Sequence, residues 1–328
     1  MPNIMSFRNK QTGLTLVEIM VAMTISLILL AGVGQIYLSS KQTYRVHDGV
    51  SRVQENGRFA MEFLANDLRM ADFWGCVSDV SDVSNDVVGG GGIDIGIGGI
   101  SGTDNVGYNN SDTLILQGAY GSGIIVTPPF MNTNAAALHI STQNGLQQGD
   151  IVMVSDCQSG DVFQISNNNP NTSGTADHNT GNAVSPGNIT GNLSKVYAGD
   201  AQIYKVRKVT YSLGAGSNNG EPALFRNNGI TNMELVDGVE NLQIEYGEDT
   251  DTPGTTGYGT ANYYVPLPQV TDMERVVSIR VSLLMRTYAD NLAPEAQTYT
   301  YNGASTTPND RRIRQVYTTT IAIRNRTP

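Results

Sequence analysis

The longest apolar run lies near the amino terminus. From Leu14 the chain reads Leu-Thr-Leu-Val-Glu-Ile-Met-Val-Ala and stays apolar to Leu38, with Glu18 as its only charged residue. As a helix, those 25 residues extend about 37 Å, enough to cross a hydrocarbon core of about 30 Å. Beyond Leu38 the pattern changes rather than stops. Val46, Val50, Val53, Gly57, Ala60 and Leu64 recur at spacings of four and three, and Phe59 and Phe63 widen the stripe. Arg52, Glu55, Arg58, Glu62 and Asp67 fill the positions between. One helix is therefore predicted from Leu14 to about Met70, roughly 85 Å long. Its first half (14–38) is a transmembrane or filament-core segment and its second half (39–72) is amphipathic. Gly32, Gly34, Gly49 and Gly57 each weaken it by up to ~1 kcal/mol, so they read as bends or close-packing points.

After Trp74-Gly75-Cys76 the period falls to two and short strands follow, which makes 73–328 a β-rich head. Candidate strands are 113–117, 138–141, 151–155, 162–165, 202–213, 223–226, 242–246, 275–286 and 315–324. The segment 275–286 is the clearest: Val277, Ile279, Val281, Leu283 and Met285 alternate with Ser278, Arg280 and Ser282. The segment 315–324 is rich in β-branched residues. Two Gly/Asn/Ser-rich stretches, 89–110 and 166–192, read as long surface loops. The fold class is α+β: a long amino-terminal helix packed on an antiparallel β-sheet head.

Composition narrows the function. Charged residues make up only 15%, against a usual ~25%, which argues against a disordered charged chain or a coiled-coil rod. Net charge is −10, so wholesale nucleic-acid binding is disfavoured. The charge is uneven: residues 1–70 carry a net +2, residues 71–274 a net −17 and residues 275–328 a net +5. Inside one fold, the basic end is expected to neutralise the acidic middle.

Glu18 requires an explanation. A lone carboxylate in a membrane span costs roughly 2.5–3.5 kcal/mol, so it marks a function. An ordinary signal peptide, cut after the apolar core near Ala31-Gly32-Val33-Gly34, leaves it unexplained, and so does a plain anchor. A cut between Gly13 and Leu14 does explain it. The new ammonium then lies one turn from Glu18, which pairs with it on its own or a neighbouring chain. Before the cut, Arg8 and Lys10 in the leader (1–13) hold that end in the cytoplasm and direct the head outward.

The stretch Lys10-Gln-Thr-Gly13-Leu-Thr-Leu-Val-Glu18-Ile-Met-Val-Ala resembles the class III signal of type IV prepilins and pseudopilins. The resemblance implies cleavage after Gly13 by prepilin peptidase and N-methylation of Leu14, and it matches Glu18 to the family's helix-borne glutamate. Leu14 departs from the commoner Phe or Met at that position. Further stretches resemble PilW-type minor pilins: 52–60, Trp74-Gly-Cys76, Ser155-Asp-Cys157, 277–285 and 316–325. That likeness implies a structural role and no enzymatic one. The expected subunit primes pilus assembly at the inner membrane and sits at or near the tip. Implied partners are other minor pilins, the major pilin, a large tip adhesin, prepilin peptidase and the inner-membrane assembly platform. A head this large is awkward along a densely packed shaft but tolerable at a tip. One alternative is a minor pseudopilin of type II secretion. The other is a tip module that grips DNA or a surface through Arg311, Arg312 and Arg314.

An exported head makes a Cys76–Cys157 disulfide the expectation over two unpaired thiols. Other chemistry is sparse. Glu248, Asp249 and Asp251 form an acidic turn that is a weak calcium candidate, without EF-hand spacing. His47, His139 and His178 lie apart and point to no metal site, and Gly214-Ala-Gly216 lacks the third glycine of a dinucleotide loop. No cofactor is expected.

Overall fold

The computed structural model describes residues 13–77, 79–95, 98–181 and 184–326. Residues 1–12, nearly all of the expected leader, lie outside the described residues. Helix α1 (Leu16–Met70) runs for 55 residues without interruption. It ends where Ala71 turns extended and Asp72 takes a left-handed conformation (φ 60°).

Strands follow in the order β1 (Val83–Asn85), β2 (Ile100–Thr103) and β3 (Thr113–Ile125). Next come β4 (Leu138–His139), β5 (Ile151–Ser155), β6 (Gly160–Gln164), the short helix α2 (Pro170–Ser173) and β7 (Thr175–Ala176). The chain continues through β8 (Gln202–Ala215), β9 (Pro222–Asn227), β10 (Asn232–Asp237), β11 (Val239–Glu248) and β12 (Tyr263–Val265). It closes with β13 (Val276–Arg286), β14 (Tyr299–Tyr301), β15 (Ala304–Thr306) and β16 (Arg314–Ala322). An eight-stranded sheet has the order β1-β6-β5-β8-β3-β2, with β9 also on β8 and β10 on β9. A four-stranded antiparallel sheet has the order β12-β11-β13-β16. A hairpin, β14–β15, and a small antiparallel pair of strands distant in sequence, β4–β7, complete the head.

The stripe on α1 becomes buried only where the head begins. Val53, Gly57, Ala60, Leu64 and Leu68 face Ile279, Val281, Leu283 and Ile321 of the four-stranded sheet, and Leu114, Leu116 and Tyr211 of the larger one. Full burial of Leu64 and Leu68 stabilises by about 1.5–3 kcal/mol each. Gly57 is a packing point: a Cβ there would stand 2.6 Å from the Tyr317 ring. Phe59 departs from expectation. It is 44% exposed and meets Phe63 edge-on (4.6 Å between centroids) on the outer side of the helix, because the inward arc is already filled by Ala60 and Leu64.

The two Gly-rich stretches are not surface loops throughout. The first contains β2 and buries Ile93, Ile95 and Ile100; the second contains α2 and β7 and buries Ala176 and His178. Their apolar residues are too sparse for a periodic signal, but each sits where a neighbouring strand covers it. Gly99 is small for a reason, since a Cβ would lie 2.3 Å from the Asp72 backbone. Strand β10 was also not anticipated; it is an outer strand with its first residues exposed, so it alternates poorly.

Cys76 and Cys157 are disulfide-bonded across a separation of 81 residues, joining the exit of α1 to the turn between β5 and β6. In the chain-entropy picture, closing a loop of that length stabilises the fold by about 4 kcal/mol. The Cys76→Ser/Cys157→Ser double variant is expected to lose that much stability, read as a lower unfolding temperature under non-reducing conditions. An unchanged temperature would show that the bridge constrains nothing.

Candidate functional site

The first functional element is the start of α1. Gly13, Leu14 and Thr15 are not helical, and Leu14 is 77% exposed. Thr15 is the N-cap: its Oγ1 accepts from the Glu18 amide (3.3 Å), while Glu18 Oε2 accepts from the Thr15 amide (2.8 Å) and hydroxyl (2.9 Å). This reciprocal capping box satisfies donors that a helix start leaves open. Both bonds fall on Oε2, so Oε1 keeps its acceptor capacity. Downstream, the Thr24 and Ser26 hydroxyls donate to the Met20 and Ala22 carbonyls (2.8 Å each), so neither polar group faces hydrocarbon unpaired. Among the described residues one helix is long and apolar enough to cross a membrane. Its apolar window has a mean hydropathy of 2.4 and none of it is buried by the head.

The second element is the joint between helix and head. Asp67, one turn from the helix end, accepts from Arg226 Nε (2.7 Å), Arg207 (3.1 Å) and the Tyr211 hydroxyl (2.7 Å). Burial first, and then the Asp67 charge, push the Tyr211 hydroxyl above its ordinary pKa. Beyond Asp67, Asp72 accepts from the Trp74 indole (2.8 Å) and the Gly99 amide (2.6 Å) and pairs with Arg326. By periodicity alone Asp67 falls among the polar helix positions. Nothing in the local sequence separates it from Glu62, because its cations come from β8 and β9.

The three arginines read as a patch for an anionic partner are not a free basic surface. Arg286, Arg312 and Arg314 alternate with Glu221, Glu240 and Asp310 in a closed ring of ion pairs. Arg314 contacts Glu240 (2.6 Å) and Asp310 (2.6 Å), and its side chain is only 5% exposed. It holds the Asp310 carboxyl down at about 2. Arg311 is exposed but hydrogen-bonds Asn291 and the Pro294 carbonyl. Three cations matched by three anions leave little field for a polyanion, which removes the support for a DNA-gripping module.

The calcium reading is likewise overturned. Glu248 is fully buried and accepts from the Thr271 hydroxyl (2.6 Å), the Thr271 and Asp272 amides and the Tyr263 hydroxyl. Burial alone would raise its pKa, but these donors, Thr271 foremost, hold it below the usual range. Asp249 accepts from the Asp251 and Gly259 amides, and Asp251 from Asn262. The carboxylates therefore close a loop with protein donors instead of converging on a cation. Among the described residues no group of three His, Cys, Asp or Glu is disposed to hold a metal. His47 lies on α1, His139 in β4, and His178 is buried against the Ala136 carbonyl (3.0 Å).

One carboxyl in the head is destabilising when charged. Asp86 Oδ2 is buried without a partner; burial first, and then the Asp161 charge, raise its pKa to about 6. The folded value exceeds the unfolded one, so its contribution is greatest below about pH 4 and is lost as pH rises through 6. Asp86→Asn is expected to gain about 1–2 kcal/mol on the parent between pH 4 and 7, a figure reduced from the full shift because the residue is only half-buried. Equal unfolding profiles at both pH values would refute this.

Two family models match the chain. Type IV Pilus-assembly protein W matches residues 210–325, from the second half of β8 through β16, and the Prokaryotic N-terminal methylation motif matches residues 8–34, around Gly13, Leu14 and Glu18. The chain carries a PilW domain and a prepilin methylation motif. It is thus minor-pilin-like, and PilW-type proteins are structural pilus components rather than enzymes. The PilW match takes in Tyr211 and Arg226, which grip Asp67, and all six members of the ion-pair ring. Neither model reaches residues 35–209. No curated protein matches the chain. Among solved structures, a type IV-like pilin, TTHA1219 from Thermus thermophilus, aligns at 12% identity over 84% of this chain and 98% of that one, with a TM-score of 0.36. The match around residues 8–34 and the unburied apolar helix fit anchoring in a membrane, and the match over 210–325 likens that part of the head to a pilus-assembly protein.

Proposed function

We propose that this chain is a minor pilin that helps to prime type IV pilus assembly at the inner membrane and then resides at or near the pilus tip. In this reading prepilin peptidase cuts between Gly13 and Leu14, the Leu14 amine is methylated, and Glu18 pairs with an amino-terminal ammonium as helices bundle. The observation that carries it is the junction itself. An exposed, non-helical Gly13-Leu14 immediately precedes a Thr15–Glu18 capping box, and that box opens a wholly unburied apolar helix. The same rigid helix ends in a large head held by Asp67, so a force on the helix reaches the head without a hinge. The head faces the periplasm before assembly, and its neighbours are other minor pilins, the major pilin below and a tip adhesin above. The PilW match favours a pilus over a type II secretion pseudopilus.

Amino-terminal mass spectrometry of the protein from sheared pili, with immunogold labelling of intact pili, tests the proposal. The expected first residue is N-methylated Leu14, and gold is expected at pilus ends. A chain beginning at Met1 or beyond residue 38, or gold distributed along the shafts, would overturn it.

A further inference from the structure

The four-stranded sheet ends on β16, whose only strand neighbour among the described residues is β13. The nine residues of β16 pair with β13 from Arg314–Arg286 to Ala322–Ser278 with no bulge. The bonds at the two ends of the ladder fix its phase. Thr287 donates to the Ile313 carbonyl and Ile323 to the Val277 carbonyl, so Arg314–Arg286 and Ala322–Ser278 are non-hydrogen-bonded pairs. By alternation, the backbone N–H and C=O groups of Arg314, Val316, Thr318, Thr320 and Ala322 point away from β13.

Natural sheets usually guard such an edge with lysine, proline or a bulge. β16 has none of these, and no charged residue stands between Arg314 and Arg324. Val316, Thr318, Thr320 and Ala322 are all exposed, whereas Tyr317 and Ile321 turn towards α1. The Tyr317 hydroxyl donates to the Val53 carbonyl (3.4 Å), so the strand lies along the carboxy-terminal half of the helix. The amino-terminal half of that helix exposes its entire apolar surface, and in a filament neighbouring helices cover it. The heads of those neighbours then come alongside the carboxy-terminal half, where the open edge lies.

We infer that the β16 edge is a docking site for an uncharged, extended strand from the head of a different pilus subunit, added by main-chain hydrogen bonds. The partner strand presents β-branched or small residues at alternate positions, because charge opposite Val316, Thr318 and Thr320 would be desolvated without a counter-ion. This rests on the pilus reading proposed above.

The test uses the full-length chain in its own membranes and pili. A photo-cross-linking amino acid at position 320 is expected to form an adduct with another pilus subunit in assembled pili. Thr318→Pro removes an outward amide and the hydroxyl contact with Ser282 (3.0 Å) but no backbone bond of the β13 ladder, and Thr318→Val, which loses the hydroxyl contact alone, is the control expected to keep the adduct. The proline variant is expected to abolish that adduct and to lower the protein in sheared pili at least tenfold, while cleavage at Gly13 and the Cys76–Cys157 bridge persist. No adduct from position 320, an adduct only with a second copy of this chain, or Thr318→Pro protein in pili within twofold of the parent would overturn the inference. Should the proline variant fail to accumulate, the position-320 adduct decides alone. Absence of the parent chain from pili would overturn the pilus reading as well, which separates the two failures.

Discussion

A chain carrying Gly13→Ala remains a full-length precursor. No atom lies within 4 Å of where a Cβ on Gly13 would stand, so the substitution leaves the fold and its stability unchanged. The loss therefore falls on the peptidase, which must accommodate this residue at the scissile bond. The substrate side is ready for attack: Gly13 and Leu14 are exposed and outside the helix, which begins only at the Thr15 cap. Intact-mass measurement of the membrane-extracted protein is expected to show Met1 retained in essentially all molecules. Normal processing of the variant would refute the assigned cut. In the companion Glu18→Val chain the cut is expected to proceed, but little protein reaches pili, because both the capping box and the acceptor for the ammonium are gone.

The second large effect lies at the joint. Asp67→Ala leaves Arg226, Arg207 and Tyr211 facing one another with no anion, and Arg226 is largely buried. Breaking a buried pair from one side costs about 3–5 kcal/mol, because the remaining charge is uncompensated. For a head of this size that corresponds to a fall of roughly 10 °C in unfolding temperature. Thermal unfolding of the detergent-solubilised chain measures it. A loss below about 1 kcal/mol would mean that water replaces the carboxylate freely and that hydrophobic burial alone holds the helix to the head. Glu62→Ala, five residues earlier on the exposed side, is the control and is expected to change stability little.

The two results bear on different parts of one device. In the proposed function Gly13 and Glu18 govern whether the helix enters an assembly, whereas Asp67 ties the helix to the head. The ion-pair ring supports the second task. It ties the β8–β9 turn, the start of β11, the end of β13 and the entrance to β16 through six side chains from distant parts of the sequence. The basic carboxy-terminal region thus neutralises acids from the middle of the chain inside one fold, as the uneven charge along the sequence implied.

The sequence by itself determined whatever depends on neighbours a few residues apart. The apolar run from Leu14, the placing of Glu18 one turn beyond Gly13-Leu14 and the stripe through Val53, Ala60 and Leu64 are all local signals, and local spacing survives in one dimension. So do long alternating strands such as β13. Only the tertiary structure decided the roles of residues whose partners are remote. Arg312 and Arg314 read as a free basic run until Glu221 and Glu240 come beside them, Glu248 as a cation ligand until Thr271 folds over it, and Asp67 as a solvated position until β8 and β9 bring their arginines. In each case the charge was visible, but its electrostatic meaning depended on distance through space. The open edge of β16 has the same origin: any strand in this sequence could have been an outer one, and sheet order alone left this one without a second neighbour.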